Sequence, residues 1–187
     1  MSMNQHQHIN RSAVSIGGRL NGAVAIFLTW LAATAPTWAA SPGAWVTDPF
    51  RACRVWNPHP TANETVAWFG ACENGLAQGR GATRWLRGGV VFETDEGEWR
   101  DGRQIGLGKQ DWPGGRYEGE LADSEPHGHG ILTLRSLRYE GDFRNGKPNG
   151  TGTMTTATEV FQGQWKDGCF KNGKRRAAVV VALSSCP

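Results

Sequence analysis

The sequence predicts an all-β fold: sequential antiparallel β-hairpin repeats forming an elongated, twisted single sheet with a cap at each end. Three observations predict it. Glycines recur at a fixed spacing, large aromatic side chains stand at fixed offsets from them, and Asn-Gly or Asp-Gly dipeptides follow at a third offset. The chain has 187 residues, with 26 glycines and nine tryptophans. Aromatics in that number supply burial that a flexible glycine-rich linker lacks.

The spacing comes first, because an internal repeat decides the architecture. Gly70, Gly97, Gly119, Gly141 and Gly163 are separated by 27, 22, 22 and 22 residues. The frame is clearest in the fourth copy, Tyr139-Glu140-Gly141-Asp142-Phe143-Arg144-Asn145-Gly146, followed by Gly150-Thr151-Gly152. The others begin at Trp68, Asp95, Tyr117 and Phe161. First aromatic, glycine and second aromatic sit at i, i+2 and i+4, so they share one face of a strand. The glycine leaves a slot on that face for a neighbouring side chain. Asn74-Gly75, Asp101-Gly102, Asn145-Gly146 and Asp167-Gly168 tolerate φ > 0 and read as two-residue hairpin turns. The Gly-x-Gly strand then returns. One hairpin is marginal alone, whereas stacked hairpins bury one continuous aromatic stripe. Four positions depart from the frame: Asp95 stands at an aromatic position, Cys72 and Leu121 replace Trp, and Ser124 replaces a turn glycine. In the fifth copy Asn172 replaces the next glycine.

This frame resembles the MORN (membrane occupation and recognition nexus) repeat, over about residues 66–173. Cys53-Arg54-Val55-Trp56-Asn57-Pro58, followed by Trp68 to Cys72, is similar to the start of bacterial exported members. The resemblance implies a non-catalytic interaction or scaffold protein, since such repeats are associated with membrane-lipid contact and protein assembly. It implies no cofactor and fixes no ligand.

The first 39 residues read as an export signal. Arg11 and Arg19 precede an apolar segment from Ala23 to Ala35, Pro36 ends it, and Thr37-Trp38-Ala39 offers small residues at a cleavage site. That segment is too short to cross a ~30 Å hydrocarbon core as a helix. Export to the periplasm or outside the cell agrees with the cysteines, since Cys53, Cys72, Cys169 and Cys186 all lie beyond it. Four cysteines allow three pairings. Local spacing favours Cys53 with Cys72 and Cys169 with Cys186. No CxxC spacing points to a metal site.

Residues 40–65 form an N-terminal cap segment rich in proline, and residues 174–187 a C-terminal capping strand built on the apolar run Ala177 to Leu183. Such caps cover sheet edges that would otherwise pair with other chains.

Net charge is +3, and two of the twenty basic residues fall in the segment read as removed, where no acid precedes residue 40. The remaining balance argues against a nucleic-acid binder, which needs a clustered basic footprint. Glu93, Asp95, Glu96 and Glu98 form a carboxylate cluster of the kind that can serve glycoside cleavage. Alternation puts Glu96 and Glu98 on the outer face, and the cluster reads as solvated. His127 and His129 likewise read as exposed. Two candidate binding surfaces remain. One is the aromatic stripe, represented by Trp85, Trp99, Trp112, Tyr117 and Tyr139, which is a groove if open and core if covered by the sheet's own curvature. The other is the basic cluster Lys171, Lys174, Arg175 and Arg176, suited to anionic lipid head groups. The expected partner is an unidentified protein or envelope component, with anionic lipid as an alternative and an enzyme of envelope glycans as a further one.

Overall fold

The computed structural model describes residues 43–187. The expected export signal lies outside the described residues. Two short strands come first, β1 (Ala44–Thr47) and β2 (Arg54–Asn57). The hairpin repeats follow as β3 (Glu64–Glu73), β4 (Leu76–Arg87), β5 (Val90–Arg100), β6 (Arg103–Trp112), β7 (Gly115–Ala122), β8 (Glu125–Leu134), β9 (Leu137–Arg144), β10 (Lys147–Thr156) and β11 (Val160–Lys166). β12 (Cys169–Asn172) and β13 (Arg175–Ala178) end the series, and a single 3-10 turn covers Leu183–Ser185. All thirteen strands belong to one sheet, in which sequence neighbours from β4 to β13 pair in order. The pairing is antiparallel except for one parallel bridge between Arg54 and Leu76.

The turn dipeptides do what their chemistry allows. Asn74-Gly75, Asp101-Gly102, Asn145-Gly146 and Asp167-Gly168 all have both φ angles positive, the requirement of a type I′ hairpin turn. Asp123-Ser124 takes the same shape with φ of 52° and 68°, a strained setting for serine.

Four of the five repeats bend at the glycine. The register slips between Phe69 and Ala71, Glu96 and Glu98, Gly119 and Leu121, and Pro148 and Gly152. These bulges turn the hairpin tips across the sheet's inner face. The tips then bond to one another in series: Gly102 N donates to Ala77 O (2.9 Å), Ser124 N to Gln104 O (3.0 Å), Gly146 N to Pro126 O (3.0 Å) and Gly168 N to Pro148 O (2.9 Å). β2 joins the series through Arg54 N to Gly75 O and Trp56 N to Gly102 O.

Rings of base and tip meet in the space so enclosed. Phe143 packs edge-on against both Tyr117 and Tyr139, with centroids 5.2 and 5.1 Å away, and Tyr139 meets Trp165 at 5.2 Å. The glycine slot holds a ring. A Cβ on Gly152 would lie 2.1 Å from the Tyr139 hydroxyl oxygen, and one on Gly130 would lie 2.3 Å from that of Tyr117. Burial is therefore complete: Tyr117 and Tyr139 are both 0% exposed.

The ends are pinned. Cys53 is bonded to Cys72 and Cys169 to Cys186. Near the first bond, buried Asp48 accepts from the N–H groups of Phe50, Arg51 and Trp68. The last strand is shorter than the apolar run implied. β13 stops at Ala178, because Val179 N donates to Gly168 O of the last turn. The chain then bends back through Val180, which is exposed, to deliver Cys186 to Cys169.

A polar cavity in the aromatic core

The 22-residue frame makes core positions comparable from one repeat to the next. Asp95 stands where Tyr117, Tyr139 and Phe161 stand in later copies. Gln110 stands in the place of Leu132 and Met154, and Gln104 in that of Pro126 and Pro148. Ser124 occupies the place of Gly146 and Gly168. These four exchanges converge on one cavity of about 130 Å³, walled by Trp85 and Trp99 and entered past His59, Glu64 and Glu125. The cavity separates the buried core around Trp68, Trp85 and Trp99 from that around Tyr117, Tyr139 and Trp165.

Its hydrogen bonds are mostly complete. Asp95 Oδ2 accepts from Thr83 Oγ1 and Trp85 Nε1, each at 2.7 Å. Gln104 Nε2 fills the slot above Gly97 and Gly108 that a ring occupies in other repeats, and donates to Glu96 O at 3.0 Å. Gln110 Nε2 donates to Gln104 Oε1 and Ser124 O, both at 3.2 Å. Ser124 Oγ accepts from Gln104 N at 3.0 Å, which offsets the strain of its backbone. The protonated Glu93 carboxyl supplies Asp95 with a further side-chain hydrogen bond.

The carboxyls are unusual. Glu93 and Asp95 are two apart on β5, so both face inward. Burial, the charge of Asp95 and that of Glu64 push the Glu93 carboxyl up to about 8. Burial pushes Asp95 upward too, against the pull of the hydrogen bonds from Thr83, Trp85 and Glu93. At the rim Glu64 accepts from Asn57 Nδ2 (2.6 Å) and Thr61 Oγ1 (2.7 Å), while His59 Nε2 lies 3.2 Å from Glu125 Oε1. Beside the cavity runs a more apolar groove of about 570 Å³ past Trp112, Tyr117, Leu132 and Phe143, sharing His59, Glu93, Gln110 and Glu125 with it.

The candidate surfaces read from the sequence are placed as follows. Trp85, Trp99, Tyr117 and Tyr139 are core and not an open face, since the folded-over tips cover them. Trp112 is half-buried and lines the apolar groove. Lys171 and Lys174 are exposed. Arg175 is spent on its own sheet, donating to Val160 O at 2.8 Å and lying 4.5 Å over the Phe161 ring. Arg176 donates to Cys186 O. Lys171 instead joins Arg144, Lys147 and Lys166 around a groove of about 780 Å³ floored by Trp165 and Phe170. Glu96, Glu98, His127 and His129 are exposed.

Sequence reading missed the cavity. It counted Asp95 as a departure from the frame and the carboxylates as a solvated cluster. The usable signal was that Asp95 sits on the frame's aromatic position, which alternation places inside.

Among the described residues, no three His, Cys, Asp or Glu side chains are grouped to hold a metal ion. No helix among them is long and apolar enough to cross a membrane. The family model of the MORN repeat matches residues 96–115, 117–136 and 139–158. The first match starts one residue past Asp95, where the others start at Tyr117 and Tyr139. The copies beginning at Trp68 and Phe161 share the hairpin geometry but lie outside the matched residues. No curated protein matches the chain.

Proposed function

We propose that this chain, which carries three MORN repeats, is an exported, non-catalytic interaction or scaffold protein of the cell envelope. Its recognition site is the polar cavity and the adjoining Trp112 groove. Repeats of this kind suggest a binding or scaffold role. The observation that carries the site is the convergence of four polar exchanges, at Asp95, Gln104, Gln110 and Ser124, on one cavity within an otherwise aromatic core. Export is supported by the signal-like residues 1–39 and by two disulfides, which persist in oxidising compartments.

The carboxyl pair invites a comparison with glycoside cleavage, in which two carboxyls flank the scissile bond. Glu93 and Asp95 project from one strand on one side of a small cavity, an arrangement that suits holding a group better than cleaving between sugars.

Three measurements test the reading. Sequencing the protein recovered from the envelope should find an N-terminus near Ala40, and an intact Met1 end in the cytoplasm contradicts export. Crosslinking in the native envelope, wild type against Trp112→Ala, should lose the partner in the variant. Equal recovery from both removes the groove from the function, and glycan cleavage abolished by Glu93→Gln would make the protein an enzyme.

A second reading is favoured by the basic groove. Arg144, Lys147, Lys166 and Lys171 stand around Trp165 and Phe170 with one acid, Asp167, which lies 4.0 Å from Arg144, and the surplus of positive charge is a setting for anionic lipid head groups. Binding to anionic vesicles at low salt, lost at high salt, supports it. Absence of binding at low salt excludes it.

A further inference from the structure

We propose that residues 180–186 are a strap held shut by the Cys169–Cys186 disulfide, and that a dithiol reductant opens it and so widens the basic groove over Trp165 and Phe170. The inference rests on that groove being a binding surface and names what regulates access to it.

Position is the first argument. Val181 and Ser185 line the basic groove beside Arg144, Lys147, Lys166 and Lys171. Val180 lines the Trp112 groove. Val181 lies over the turn between β11 and β12, where a Cβ on Gly168 would meet its Cγ2 at 2.9 Å. Withdrawing Val181 and Ser185 removes one wall of the basic groove. Its cations stay in place, because they stand on β9, β10, β11 and β12.

The second argument is that the strap is held against its own preference. Residues 179–183 read Val-Val-Val-Ala-Leu, a run that favours a strand, yet β13 ends at Ala178. Val180 has φ of 57°, a left-handed setting that a β-branched side chain rarely takes. Burial does not offset it, since Val180 is 52% and Leu183 50% exposed. Within 179–183 only Val179 is buried. A segment that served only to close the sheet would bury its apolar side chains.

The third argument is how little else holds it. Val179 is the hinge, and its N–H donates to Gly168 O. Arg176 donates to Cys186 O, while Ser185 and Cys186 donate back to Ala182 and Leu183 within the strap. Cys186 lies beyond the last strand, so its disulfide is what ties the far end of the strap to the sheet. The other disulfide differs: Cys72 lies within β3 and Cys53 adjoins β2, and both strands have pairing of their own.

The chemistry is thiol–disulfide exchange. Cys169 is half-buried, so a thiolate can reach its sulfur. Attack breaks the Sγ–Sγ bond through a mixed disulfide. The dithiol supplies both electrons and closes to its own disulfide, and its two protons end on Cys169 and Cys186 as thiols. Val180 then relaxes out of the left-handed region, and Val181 and Ser185 leave the groove.

Hydrogen exchange on the full disulfide-bonded chain tests this, beside co-sedimentation at low salt with vesicles of phosphatidylcholine and phosphatidylglycerol. The Val179 amide reports closure. In Cys169→Ser/Cys186→Ser, which keeps the other disulfide, it should exchange at least about tenfold faster, as local opening requires. Amides of β7 to β10 should keep their protection. Vesicle affinity should rise at least about fivefold, the low end of coupling between a switch and a site. Wild type reduced with dithiothreitol should behave alike and revert on reoxidation. In the reduced chain Val180→Gly should slow Val179 exchange at least about fivefold, since glycine carries no left-handed penalty. Val179 protection that survives both reduction and the double variant overturns the proposal. So does equal vesicle affinity in the open and closed forms, which leaves the groove a binding surface without a gate. Absence of vesicle binding in every form rejects the groove reading, and the proposal with it.

Discussion

The repeats starting at Tyr117 and Tyr139 and the repeat starting at Asp95 use one backbone for opposite purposes. In the former two, a tyrosine lies on the cross-strand glycine of its neighbour, and its ring joins a chain of edge-on contacts through Phe143 and Trp165. The slot over each of those glycines is filled by the ring. In the latter, the ring is replaced by a carboxylate, and Gln104 reaches over to cover the bare glycines. The hairpin geometry survives because backbone turns, bulges and the ladder of tip bonds do not depend on that ring. Two regions thus divide the work: the aromatic stack supplies stability, which lets the polar repeat spend some of it on burying a carboxyl pair.

The largest expected effect comes from breaking the stack. Tyr139→Ala removes a fully buried ring from contact with Phe143 and Trp165. It should cost about 3–5 kcal/mol in urea unfolding. The comparison fails if this variant loses no more stability than a surface substitution.

A smaller effect, opposite in sign, is expected in the polar repeat. A carboxyl with a raised pKa holds its proton more tightly in the folded chain than in the unfolded one. The stabilisation is complete below the unfolded carboxyl range, about 4, and is lost as pH rises toward about 8, where Glu93 ionises. Wild type should therefore weaken between these limits. Glu93→Gln should flatten the profile and be the more stable protein at pH 8.5, by on the order of 1–2 kcal/mol. Parallel urea midpoints for wild type and variant at pH 5 and pH 8.5 would show that the pair carries no burial cost.

The division of labour was only half legible in the sequence. The 22-residue period, the turn dipeptides and the local cysteine pairing follow from residue chemistry within one repeat, and the structure has them. Whether the aromatic face is open depends on the bend at the repeat glycines and on bonds such as Gly146 N to Pro126 O. Those bonds join tips twenty residues apart, which periodicity within a strand does not reveal. The same gap hid the basic groove, since Arg144, Lys147, Lys166 and Lys171 meet only when successive tips stack. Asp95 was read as a defect in a repeat because a frame measures conformity. The position told where the side chain points, and Gln104, Gln110 and Ser124 supplied the polar company that makes it a site.

The finest contrast lies at one turn position. Ser124 has φ of 68° where the other repeats have glycine, and its Oγ accepts from Gln104 N at 3.0 Å. Ser124→Gly relieves backbone strain of about 1 kcal/mol and forfeits a hydrogen bond of similar worth, so thermal stability should barely change. Gly146 is its counterpart in the aromatic region, with φ of 72° and no atom closer than 3.9 Å to an added Cβ. Gly146→Ser meets no clash, yet its strain has no polar cavity to compensate it. It should cost about 1 kcal/mol. Differential scanning calorimetry of the two variants reads the difference directly. Equal losses would mean that serine at residue 124 is a tolerated defect, whereas a loss confined to Gly146→Ser makes the strained turn part of the machinery that holds Gln104 in place and keeps the cavity polar.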